Sequence, residues 1–111
     1  MCGIDFVIAV TDKEAAKADK YVHFDEEVHR FLFKQFGNDR TFDLLLHLNR
    51  YETGIIYTKD IPKLIKVCEN LSHLYGSEDS DKQEIRYFVE NLRNMCEEAL
   101  KLKKHLYTIG D

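Results

Sequence analysis

Three pairs of residues in this sequence have the types and spacing to share a ligand on one helix face: Glu26 with His29, Asp43 with His47, and Glu69 with His73. A carboxylate three or four residues from a histidine lies on the same side of an α-helix, and the Glu-x-x-His step is the one that di-iron helical bundles use. Such a centre needs two of those steps and a single glutamate on each of two other helices. Only Glu26 and His29 have the required separation, and ordinary helix surfaces favour the same pairs. The expectation is therefore no metal and no cofactor, with a metal-binding helical protein as the lesser alternative. A zinc site has no support either, because Cys2, Cys68 and Cys96 stand far apart in the sequence.

A second chemistry begins at "MCGI". Removal of the initiator methionine would expose Cys2, whose thiol could act as nucleophile with its own α-amine as base. This opening resembles that of the N-terminal-nucleophile glutamine amidotransferases. Those domains are considerably longer, and the arginine, asparagine and glycine motifs that bind glutamine in them have no counterpart here. Cys2 is read as the residue that starts a strand. Ser72, Ser77 and Ser80 lack the tight glycine turn of a serine nucleophile, and five scattered glycines make no phosphate loop. The expectation is a protein without catalytic activity.

Charge points elsewhere. With 16 Lys and Arg against 20 Asp and Glu, the 111-residue chain carries a net charge of -4, which disfavours nucleic acid as a direct ligand. Asp25, Glu26 and Glu27 cluster at the start of one helix, and Glu78, Asp79, Asp81 and Glu84 cluster in the polar break "SEDSDKQE" beside Tyr75. Acids at helix starts favour the dipole on their own account. Beside an exposed aromatic they also fit a partner-binding surface, with Tyr75 as buried anchor and the acids steering a basic protein. The three cysteines suit reduced thiols and no segment resembles a signal peptide or a membrane span, so the reading is a cytoplasmic protein.

The elements that position these residues follow from periodicity. "IDFVIAV" alternates with Ile4, Phe6, Ile8 and Val10 on one face, which predicts a strand over 4–10. Thr11 and Glu14 have capping-box spacing before a short alanine-faced helix or loop, and "KYVHF" predicts a second short strand. Asp25 as N-cap, Val28, Phe31, Leu32 and Phe36 at helical spacing, and Gly37 as stop predict the next helix. From Thr41 to Gly54 the sequence is apolar on most sides, which predicts a central helix. "GIIYT" is extended. A helix with Pro62 in its first turn follows from Asp60, burying Ile61, Leu64, Ile65, Cys68, Leu71 and Leu74. A capping box from Ser80 to Gln83 opens the last and longest helix, with Ile85, Phe88, Val89, Leu92, Met95, Cys96, Ala99 and Leu100 as its stripe. "HLYTIGD" predicts a final strand paired with the first. The fold class is α+β, a single domain of about four helices packed on a small antiparallel sheet, with Leu45, Leu64, Cys68, Leu92 and Cys96 in its core.

A small acidic chain with a "GIDFVIAV" strand, a "GIIYTKDIPKLIKVCENL" turn into a helix, a long last helix and a "LYTIGD" ending resembles the immunity proteins encoded beside bacterial polymorphic toxins. The resemblance implies that the protein binds and neutralises a cognate toxin domain, a nuclease being one class for which an acidic inhibitor mimics phosphate charge. The alternative expectation is a small phage or bacterial regulatory module that binds another protein.

Overall fold

The computed structural model describes residues 2–76 and 82–110. In chain order the described residues form β1 (Gly3–Ala9), α1 (Asp12–Ala16), β2 (Val22–Asp25), α2 (Glu26–Phe36), α3 (Asp43–Leu46), β3 (Thr53–Ile56), α4 (Ile61–Tyr75), α5 (Gln83–Leu102) and β4 (His105–Gly110). The strands make one antiparallel sheet in the order β2-β1-β4-β3. As the alternation in "IDFVIAV" requires, Ile4 and Phe6 face one side with Phe24, Leu106 and Ile56, and the helices α2 to α5 cover them. The final strand pairs with the first, from Ile4 opposite Gly110 to Ala9 opposite His105. The predicted class, helices on a small antiparallel sheet, is the observed one.

The two longest helices pack face to face. Val67, Cys68 and Leu71 of α4 and Val89, Leu92 and Cys96 of α5 are buried in one cluster. Leu45 and Leu64, like Cys68, Leu92 and Cys96, have no exposed surface. Burial pushes the Cys68 thiol up to about 12 and the Cys96 thiol upward as well, so both stay protonated and behave as small apolar groups. Leu74 departs from its expected place in the stripe and is 52% exposed. It lies in the last turn of α4, where no described residue covers it fully, and Val67 is buried in the stripe where the sequence pattern passed it over.

The larger correction concerns Thr41 to Gly54. The run is no central helix: a 3-10 turn at Arg40–Phe42 leads into the single turn of α3, and Thr53–Ile56 is the edge strand β3. Asp39, not Thr41, is the cap, its side chain accepting from the Thr41 N–H at 3.0 Å. Gly54 sits within β3, where a Cβ would come 2.8 Å from the Thr108 hydroxyl on the neighbouring strand. The leucines are apolar because Leu45 and Leu46 enter the core from a compact turn, which needs no helical period.

The second face of the sheet is partly covered. Ala15 of α1 packs on Val7, Ala9 and Tyr107, and Thr11 caps α1 by accepting from the Glu14 N–H at 3.1 Å. Glu14 in turn accepts from the Val10 N–H at 2.9 Å and pairs with Lys104, contacts that hold its carboxyl below the usual carboxylate range. Gly3 is required where β1 meets β2: its φ is +154°, and a Cβ would lie 2.4 Å from the Phe24 carbonyl oxygen. At the other end of the chain Lys103 takes the left-handed conformation, φ 58°, that ends α5 and turns it into β4. Ser80 of the expected capping box lies outside the described residues, and Lys82, which occupies the N-cap of α5, makes no side-chain cap there.

Leu92 lies against this core with no exposed atoms, so Leu92→Ala is expected to lower the unfolding free energy by about 2–5 kcal/mol in urea titration. A change near zero would place the α5 stripe outside the core.

A candidate partner-binding groove between β2 and α5

β2 is an edge strand, and α5 runs beside it in the opposite direction. Lys20, just before β2, pairs with Glu98 late in α5 at 2.6 Å, leaving Asp25 and Glu27 at the end where α5 begins. Between them lies a groove of about 970 Å³. Glu84, Tyr87, Asn91 and Asn94 recur at helical spacing along its α5 wall, and Tyr21, His23, Asp25 and Glu27 line the other side. Two tyrosines stand in it largely free, Tyr87 at 70% and Tyr21 at 59% exposure. Among the described residues its acidic side chains are Asp25, Glu27 and Glu84 and its one Lys or Arg side chain is Lys20, which pairs with Glu98.

The structure brings together three of the eight expected partner-binding residues, Asp25, Glu27 and Glu84. Asp25 has a second task, since its carboxylate caps α2 by accepting from the Glu27 N–H at 2.9 Å. Glu26 turns away to Arg50 at 2.6 Å and Arg30 at 3.1 Å, tying α2 to the segment before β3. Tyr75 is not the free anchor that its polar neighbours suggest: it is half-buried, its ring edge-on to Phe31 and Phe36 at 6.4 Å, and burial raises its phenol. Glu78, Asp79 and Asp81 lie outside the described residues. The exposed ring that sequence reading missed, Tyr87, carried a usable signal, because it falls off the apolar stripe of α5 onto a polar face.

The three carboxylate–histidine pairs do separate jobs. His29 is buried in α2, stacked on Phe24 with ring centroids 4.6 Å apart, and its Nε2–H donates to the Leu46 carbonyl at 2.8 Å. His47 lies 3.3 Å from Asp43 and the same distance from the Gly37 carbonyl. Glu69 faces Arg93 of α5 at 3.4 Å. Among the described residues no three His, Cys, Asp or Glu side chains gather as a metal site, and no helix is long and apolar enough to cross a membrane. The Cys2 thiol is exposed and makes no hydrogen bond among the described residues, while its carbonyl accepts from the Glu26 N–H at 3.2 Å and extends the β1–β2 ladder.

No protein-family model matches the chain, and no curated protein or solved structure is detectably similar to it.

Burial holds the His29 imidazole below its ordinary value, with Arg50 and His47 adding to the effect against the opposing bond to Leu46. A ring held neutral in the fold supplies stability that is complete above the unfolded value of about 6.5 and declines as pH falls below it. Wild type is therefore expected to lose stability from pH 7 to pH 5 more steeply than His29→Gln, read by urea midpoints; equal slopes would remove the assignment. Cys2→Ala is expected to stay within about 0.5 kcal/mol of wild type and to leave any activity unchanged. Loss of a glutaminase activity in that variant would contradict the strand reading.

Proposed function

We propose that this chain is an immunity-type inhibitor that binds a toxin domain through the groove between β2 and α5. The observation that supports the reading is the meeting of Asp25, Glu27 and Glu84 around Tyr87 in one open groove. A tyrosine there offers a large contact area at small entropic cost, and the acids steer a basic surface into place. The net charge of -4 favours the same class of partner. Blocking follows from occupation: a toxin surface held against the groove is withheld from its own substrate. A general protein-binding module of a phage or bacterial regulator would use the same groove for a different partner.

The test is co-expression with the toxic product of a neighbouring gene, followed by binding kinetics. Wild type is expected to rescue growth. Glu27→Gln with Glu84→Gln should slow association and flatten its salt dependence, while Tyr87→Ala should speed dissociation and cost about 2 kcal/mol or more. Absence of rescue by wild type removes the toxin reading, and unchanged kinetics in both variants removes the groove as the site.

A further inference from the structure

We infer that the occupant of this groove is an extended segment of the partner, carrying lysine or arginine, that adds to the sheet along the free edge of β2. The inference rests on the partner-binding reading and names the form of the ligand. Its first support is the ladder. The Glu26 N–H donates to the Cys2 carbonyl at 3.2 Å, and the register continues with Gly3 opposite Asp25, Ile4 opposite Phe24 and Asp5 opposite His23. In an antiparallel ladder, pairs that exchange hydrogen bonds alternate with pairs that do not. Counting from Glu26, the bonded residues are Phe24 and Val22, so His23 turns its backbone N–H and C=O, and Asp25 its N–H, away from β1, while the Asp25 carbonyl, at the N-cap, opens the α2 hydrogen-bond series. Both residues line the groove.

The second support is the space. Sheet edges in folded proteins are commonly covered, bent or guarded by charge. Among the described residues β2 has only β1 as a partner, and beyond the stacked Phe24 and Phe88 rings, 4.4 Å apart, a groove of about 970 Å³ opens between its outer edge and α5. A strand added at the usual spacing of about 4.8 Å would lie on the outer side of β2, beneath the Tyr87 face of α5. Its alternate side chains would point toward Tyr87 and Asn91.

The third support is charge. The end of the groove beside the α5 start holds Asp25, Glu27 and Glu84, whereas the other end holds Lys20 already paired with Glu98. An incoming strand therefore gains most from a cation placed at the acidic end. Main-chain bonds would supply affinity and the acids would select the sequence, the division of labour found in strand addition generally.

The experiment uses the whole isotope-labelled chain with the peptide acetyl-Lys-Thr-Val-Thr-Val-Lys-amide as probe. At saturation the His23 and Asp25 amides are expected to exchange with solvent about tenfold more slowly than in the free chain. Methylating alternate peptide nitrogens, in each of the two phases, should abolish binding in one phase and spare it in the other. Replacing both peptide lysines with glutamate should weaken binding about tenfold, and so should Glu27→Gln with Glu84→Gln. Absence of binding at millimolar peptide, unprotected His23 and Asp25 amides, or indifference to methylation in both phases overturns strand addition. These outcomes are independent of toxin rescue: rescue without amide protection leaves the inhibitor reading and ends this one, and protection without rescue does the reverse.

Discussion

The pairing of β1 with β4 is the constraint on which the remaining structure depends. It joins the two ends of the chain in the middle of the sheet and so leaves β2 and β3, four residues each, as edges. Register is held by burial on both faces. A slip of one residue would turn Ile4 and Phe6 away from α5 and drive Asp5 into the core. The helices then have one apolar surface to cover; α2 and α5 lie on the strands, and α4 packs on α5. α5 packs on β1 and β2 with Phe88 against the Phe6 and Phe24 rings, and the same packing that buries Phe88 and Leu92 leaves Tyr87 facing a groove.

Much of the fold was legible where local period and end signals agreed. "IDFVIAV" puts Ile4 and Phe6 on the covered face, although β1 ends at Ala9 and leaves the expected Val10 49% exposed; Asp25 and Gly37 bracket α2, and the three-and-four repeat of α5 continues for its whole length. Reading failed between Thr41 and Gly54 because a run of leucines has no polar face, and without one the period cannot separate a helix from a compact turn feeding the core. Leu74 misled for a related reason: periodicity marks a face, but only tertiary packing decides how far along a helix that face is covered.

The site was legible in part. Acids at the α2 and α5 starts are visible in the sequence, yet their approach depends on the opposed course of β2 and α5. Tyr75 and Tyr87 both sit beside polar residues, and what separates them is the presence of Phe31 and Phe36 from another helix against Tyr75. Glu26 shows the same dependence, since its neighbours in sequence face the groove while Arg50, 24 residues away, draws it elsewhere. A function on such a fold resides in the arrangement of these side chains and not in the topology that carries them.

Strand addition requires the β2 edge to be open in the free protein. Residue-resolved amide hydrogen exchange measures this directly. The account predicts that the Phe24 amide, bonded to β1, and the amides that link β1 to β4 exchange slowly, with the His23 and Asp25 amides at least about tenfold faster. Protection of His23 and Asp25 equal to that of Phe24 would mean that the edge is already covered, and would contradict it.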